Sequence, residues 1–261
     1  MIRRNVLYKH GYYAPSNSEM RSYTQPQRWM LTGLFSFGMM DWLAGTYAVF
    51  RKDVQIELRK RVALNMLGLF VLATLALVLF AVGQETLDPA VESALLWIVI
   101  LFSASIGLGR TFMSEAETGT LLLLQLHVQG SMVFAGKLLF TLLLVFGLNA
   151  VAVALFVLML DVQVAAPGLL LVTLVLGALG LSGATTLLGA LIARATQRGP
   201  LLPVLLLPVL MPLLLSVVEA TRIALQGGTW VAAQDELLTL VGFAGTTITA
   251  AVLLFDYVWT D

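Results

Sequence analysis

The chain has 261 residues, of which 59% are hydrophobic and only 11% are charged, and its mean hydropathy is +0.92. An ordinary soluble domain is about 45–50% apolar and about 25% charged. A water-soluble core could not bury this much apolar surface, so we predict an all-α integral membrane protein. Zero net charge argues against a nucleic-acid partner. No cysteine is present, and the two histidines, His10 and His127, are too few for a His-rich metal site.

The chain begins with a polar stretch that has no hydrophobic period. Residues 1–28 carry Pro15 and Pro26, and the apolar stretch 29–40 that follows is too short to cross a bilayer. We therefore predict that residues 1–40 form a poorly ordered N-terminal extension and that residues 41–261 form the membrane domain.

An amphipathic helix is predicted next, because apolar residues recur at steps of three and four. They are Leu43, Tyr47, Phe50, Val54 and Leu58. Charged residues fill most other positions, among them the run Arg51, Lys52 and Asp53. Directly ahead of a spanning segment, such a helix is expected to lie in the membrane interface with its basic side chains toward the headgroups. The alternative is an amphipathic helix packed on protein.

Six membrane spans are predicted after this interfacial helix. They cover about 62–82, 93–109, 132–160, 168–193, 201–218 and 237–255. Residues 219–236 are a polar connector, in which we predict a short external helix stopped by Gly227 and Gly228. Glu219 and Arg222 are three residues apart and can pair.

The distribution of charge predicts the orientation of these spans. With the N-terminus in the cytoplasm, every Lys and Arg except Arg222 is cytoplasmic. In the opposite loops every charged residue except Arg222 is acidic. These acidic residues are Glu85, Asp88, Glu92, Asp161, Glu219, Asp235 and Glu236. The positive-inside rule therefore predicts that both termini are cytoplasmic.

The spans carry no charged residue near the middle, which argues against an ion-coupled transporter. The serine hydroxyls inside them have no His or carboxylate nearby in sequence, which argues against an intramembrane hydrolase. Gly136 and Lys137 lack the other residues of a phosphate-binding loop. An energy source outside this chain is thus expected.

Two spans have unusual composition. The fourth carries small residues four apart, Ala178, Ser182, Thr186 and Ala190, which fits close packing inside one subunit or a seam between two subunits. The fifth holds the interior prolines Pro208 and Pro212, which should kink the helix. The kink is either static or lies beside a translocation path.

A polar island separates the second and third spans, and it carries the most specific pattern in the chain. Its members are Arg110, Phe112, Glu115, Gly119 and Leu121. Together with six spans, cytoplasmic termini and the interfacial helix, this pattern resembles the haem exporter protein B (CcmB) family over residues 47–255. In that family a glutamate usually follows the leucine, where this chain has Leu122.

The resemblance implies the permease subunit of an ABC-type transporter that delivers haem outside the cell inner membrane during c-type cytochrome maturation. The segment from Arg110 to about Leu126 is then the coupling segment that docks on a cytoplasmic ATPase subunit. Two permease copies and two ATPase copies would form the core. Further partners in this family are a haem-handling membrane protein and a small membrane subunit.

The resemblance also bears on chemistry. Haem is the candidate cargo, and we expect no cofactor to be bound by this chain, because no His lies within a span or on the outer face. ATP hydrolysis would belong to the separate ATPase, so the chain is not expected to be an enzyme. Two alternatives remain open: an exporter permease for lipid, polysaccharide or drug, and a non-transporting scaffold that anchors an ATPase to release haem from a partner.

Overall fold

The computed structural model of this chain describes residues 29–83, 87–118, 130–193 and 201–260, and the regular elements in these ranges are helices. They are α1 Trp29–Lys60, α2 Val62–Val82, α3 Pro89–Thr118, α4 Gly130–Leu160, α5 Pro167–Ala193, α6 Leu201–Leu225 and α7 Gln234–Thr260. The chain divides into two units, residues 1–41 and 42–261. The first 28 residues lie outside the described ranges, so the poorly ordered N-terminal extension stays a prediction.

Within the described ranges, five helices are long and apolar enough to cross a membrane. Their apolar stretches are Leu64–Val82, Gly130–Leu160, Pro167–Gly189, Leu205–Leu225 and Gln234–Leu253. On α3 the described apolar stretch is shorter, Pro89–Ser105. The all-α integral membrane class is therefore confirmed, and the exact number of six spans stays a prediction.

The helix starts follow from local residues that satisfy free backbone N–H groups. The carboxylate of Asp88 accepts a 2.7 Å hydrogen bond from the N–H of Ala90, and Pro89 takes the first helical position of α3. A single residue, Arg61, separates α1 from α2 and has a left-handed backbone (φ 53°). Glu57 on α1 caps α2, because its Oε1 lies 2.9 Å from the N of Leu64.

One prediction about the helix ends is wrong. The predicted external helix in 219–236 is not separate, since α6 runs without interruption to Leu225 and only a turn joins it to α7. The predicted pair of Glu219 and Arg222 is confirmed within α6, where the Arg222 Nε donates to Glu219 Oε2 over 2.8 Å. Pairing at this spacing neutralises the charge that would otherwise favour a break in the helix.

The core lies where α5 packs against α6 and α7, and glycines on α5 permit the close approach. A Cβ built on Gly180 would overlap the side chain of Leu213 on α6 and lie 3.1 Å from Phe243 on α7. Ala178, Ser182 and Thr186 are fully buried within this one chain. These three residues of the small-residue stripe therefore pack inside one subunit, and the burial of the fourth, Ala190, lies outside the described residues.

The serines inside the spans bond to the backbone of their own helices. Ser103 donates to the carbonyl of Val99 (2.6 Å), and Ser182 donates to that of Ala178 (2.7 Å). In an apolar surrounding this is the nearest available acceptor, since every polar group there must be satisfied internally.

Pro208 and Pro212 lie inside α6, and both side chains are exposed on the outside of the bundle. Each ring removes one backbone hydrogen bond to the preceding turn. Whether these prolines kink α6 beside a path stays a prediction.

Candidate functional site

The N-terminal half of α4 is the surface on which α1 packs. The Trp42 indole Nε1 donates to Ser131 Oγ over 3.2 Å, and a Cβ on Gly45 would meet the sulfur of Met132 at 2.6 Å. At Gly136 the contact involves the α1 backbone itself. A Cβ there would lie 2.7 Å from the Val49 Cβ and close to the α1 backbone, so only a glycine permits this contact.

The predicted apolar stripe of α1 does not form the face that packs on protein. The buried residues are Thr46, Val49 and Asp53, which lie about a quarter turn around the helix from the stripe. Leu43, Tyr47 and Leu58 of the stripe are exposed, whereas Phe50 and Val54 are partly buried against the core. The interfacial position of this helix stays a prediction.

A buried ion pair lies at the C-terminal end of this series of contacts. Lys137 Nζ on α4 lies 3.5 Å from Asp53 Oδ2, and the two side chains are 2% and 9% exposed. Lys52, which is half-buried, lies with its Nζ 3.2 Å from Asp53 Oδ1. The Asp53 carboxylate is thus held between two ammonium groups. Buried charges need such pairing, and removal of one partner is costly.

The three charged residues in the run of the predicted interfacial helix therefore differ in their exposure. Arg51 is exposed, Lys52 is half-buried and Asp53 is buried. Sequence reasoning named Asp53 and Lys137 separately and missed that they meet. The only available signal was a lysine inside an apolar helix, because a lysine there needs a nearby carboxylate.

The predicted coupling segment lies only partly within the described residues. Helix α3 continues through the positions of Arg110, Phe112 and Glu115 and ends at Thr118. Gly119 and Leu121 lie outside the described ranges. The first half of this polar island is therefore helical and continuous with α3, and its role in docking an ATPase stays a prediction.

The opposite end of the bundle is acidic and is held together by polar contacts between helices. The N–H of Ala166 donates to the carbonyl of Ala224 (2.9 Å), which ties the start of α5 to the end of α6. Trp97 on α3 donates to Thr221 Oγ1 on α6 over 2.8 Å. Among the described residues, no group of three or more His, Asp or Glu is placed to hold a metal ion.

Comparison with known protein families identifies the family of this chain. A family model described as CcmB protein matches residues 44–256 of this chain. No curated protein matches it. The matched residues include α1 from Ala44 onward, the ion pair and the helices of the bundle. Because the match covers most of the sequence, this chain belongs to the CcmB family, the haem exporter protein B family, and is a multi-pass membrane component of a haem exporter in c-type cytochrome biogenesis.

Proposed function

We propose that the chain is the permease subunit of an ABC-type transporter that delivers haem across the cell inner membrane for c-type cytochrome maturation. Two copies pair with two copies of a cytoplasmic ATPase, which hydrolyses ATP. A haem-handling membrane protein and a small membrane subunit complete the assembly. Haem is cargo in this proposal, and the chain itself binds no cofactor. Membership of the CcmB family supports a haem-exporter role.

The proposal includes six spans with both termini in the cytoplasm. Five apolar helices of spanning length support this count, and in the proposal α3, with its apolar stretch Pro89–Ser105, is the sixth crossing. The charge distribution supports the orientation. The junction of α1 and α2 holds the basic residues Arg59, Lys60 and Arg61, whereas Asp88 and Asp161 lie at the opposite end.

Helix α3 supports a docking role for the polar island. The helical positions from Arg110 to Thr118 follow the apolar stretch of α3 and extend it by about 13 Å. A stiff polar extension of a spanning helix gives an ATPase a lever on the bundle. The docking residues in this proposal are Arg110, Phe112, Glu115, Gly119 and Leu121.

The single observation that carries the coupling proposal is the buried pair of Asp53 and Lys137. Lys137 lies in the second turn of α4, shortly after the predicted coupling segment. The glycine beside it, Gly136, lies against the α1 backbone at Thr46 and the side chain of Val49. A displacement of the coupling segment would therefore move α4 and α1 together.

The exposed apolar side chains of α1 support its placement in the membrane interface. Leu43, Tyr47 and Leu58 are more than half exposed although the adjacent flank of the helix packs on α4. A flank of this composition is suited to the headgroup layer, with Arg51 beside it as an anchor.

Two variants test the coupling proposal in the assembled transporter. Asp53→Asn and Lys137→Met should leave the ATPase subunit bound but should lower holo-cytochrome c formation in a deletion strain. The matched controls are Asp41→Asn and Lys60→Met, which make the same changes of charge at exposed positions of α1. Normal holo-cytochrome levels in both pair variants would remove the basis for coupling through this contact.

The docking role has its own test. Glu115→Lys should abolish co-purification of the ATPase with the solubilised permease, and Glu117→Lys, two residues on, is the control of equal charge. If the ATPase co-purifies equally with both variants, the docking site lies elsewhere. The scaffold alternative is favoured by a different result. In that result the ATPase binds, haem is released from the partner protein, and no haem is transported into vesicles.

A further inference from the structure

A cavity of about 530 Å³ opens between α3 and α6 near the acidic end of the bundle. Its apolar lining consists of Ala94, Trp97, Ile98, Leu101, Leu214, Leu215 and Val218. Two of these, Ile98 and Leu215, are also exposed on the apolar outside of the bundle. The cavity therefore opens sideways, onto the surface that faces lipid in a membrane, and its volume is in the range of small-molecule sites.

The wall of this cavity is fixed and apolar. Trp97 is 1% exposed, and its only polar atom is used in the hydrogen bond to Thr221. On its other side the indole packs on Gly177, where an added Cβ would lie 2.4 Å from the ring. The ring cannot rotate away from the cavity without losing both contacts, so the site is preformed.

Two carboxylates, Glu219 and Glu236, line the same cavity. Glu219 is already paired with Arg222, whose second nitrogen donates to Gln226 over 2.9 Å. Within the part of the chain that the structure describes, no hydrogen bond or ion pair reaches the side chain of Glu236. The three charged groups sum to one excess negative charge, which favours a cation at this rim.

We propose that this cavity binds a phospholipid with a primary ammonium headgroup. An acyl chain fills the apolar space beside Trp97, and the ammonium group donates to the free carboxylate of Glu236. A lipid is the occupant that an opening on the membrane-facing surface can admit. An amphiphile that carries carboxylates, such as haem with its propionates, meets the wrong charge at this rim, so the site is separate from the proposed cargo.

The experiment uses the full-length chain in nanodiscs of phosphatidylglycerol that contain a minor fraction of phosphatidylethanolamine with a photoreactive acyl chain. Labelled peptides from residues 94–101 and 214–218 are expected after irradiation. Glu236→Gln should lower their yield about tenfold, since a charge-assisted hydrogen bond is lost. The neighbouring exposed carboxylate gives the control, Asp235→Asn, which should keep the wild-type yield.

Three results would overturn the proposal. The first is equal labelling by a phosphatidylglycerol probe with the same acyl chain. The second is an unchanged yield in Glu236→Gln. The third is evidence that a second copy of the chain covers the cavity. In that case Ala94→Trp, which fills the cavity, would dissociate a dimer, and the wild-type chain would not be labelled at the cavity. Loss of labelling in a folded Ala94→Trp variant of unchanged oligomeric state supports the lipid site.

Discussion

The indole N–H of Trp97 on α3 donates a 2.8 Å hydrogen bond to the hydroxyl of Thr221, which lies 124 residues later on α6. Both side chains are buried. Thr221→Val keeps the shape of the side chain but leaves the indole N–H unsatisfied, and we expect it to lower the free energy of unfolding by about 1–3 kcal/mol. Thermal or denaturant unfolding in mixed micelles measures this change. Thr246→Val is the control, because that hydroxyl is exposed and donates to Gly242 of its own helix. An equal loss in both variants would contradict the role of the interhelical bond.

The same substitution is expected to have the opposite sign at Thr46. This residue is buried against α4, and among the described residues its hydroxyl has no hydrogen-bond partner. An unpaired hydroxyl is costly to bury, so Thr46→Val should raise the free energy of unfolding by about 1 kcal/mol. A fall in stability would indicate that the hydroxyl has a partner, for example a buried water, in the membrane.

Gly136 should tolerate no larger residue. In Gly136→Ala the new Cβ would lie 2.7 Å from the Val49 Cβ and 2.9 Å from the Thr46 carbonyl oxygen, and the backbone cannot yield as a side chain does. We expect a loss of about 1–3 kcal/mol. On the same helix, Gly147→Ala meets no atom within 4 Å and should stabilise by up to about 1 kcal/mol. Val49→Gly removes the Cβ and Cγ atoms that the new methyl would meet, so in a double-mutant cycle with Gly136→Ala the two costs should sum to more than the cost of the double variant, and additive costs would place the strain elsewhere.

The ion pair of Asp53 and Lys137 should behave non-additively. Asp53→Leu or Lys137→Met alone removes one partner of this buried pair and is expected to lower the free energy of unfolding, by less than the about 3–5 kcal/mol of a fully uncompensated charge in Lys137→Met, because Lys52 still pairs with Asp53. The double variant removes both charges and should cost less than the sum of the two single variants. A double-mutant cycle of unfolding free energies gives the coupling energy, and additive costs would mean that the two groups do not stabilise each other.

Sequence reasoning predicted the helices and the membrane environment because both follow from local composition. The start of α5 was predicted to within one residue, at 168 against Pro167, whereas α3 begins at Pro89, four residues before the predicted start at 93. These features need no knowledge of which helices are neighbours.

The buried face of α1 was not predictable by the same reasoning. The rule that an apolar stripe faces protein assumes that the other side faces water. When the rest of the helix can face lipid, apolar residues gain little free energy by packing on protein. The face that packs is then determined by which side chains fit closely and which charges can pair. Here Val49 fits against Gly136, which has no Cβ, and Asp53 pairs with the charge of Lys137. Both partners on α4 are distant in sequence from α1.

The ends of α3 and α6 were underestimated because polar residues were taken as helix breaks. Glu115, Ala116 and Glu117 have good helix propensity, and a helix that has left the lipid can continue in water. On α6, Glu219 and Arg222 neutralise each other at the i and i+3 positions.

Arg61 is the only residue between α1 and α2, so the two helices are joined by a tight bend. Consecutive Cα atoms are about 3.8 Å apart, so the end of α1 and the start of α2 cannot separate by more than a few ångströms. The cap from Glu57 to Leu64 bridges the bend and resists its opening. A change in the tilt of α1 therefore moves the start of α2, because one residue and this cap join the two helices.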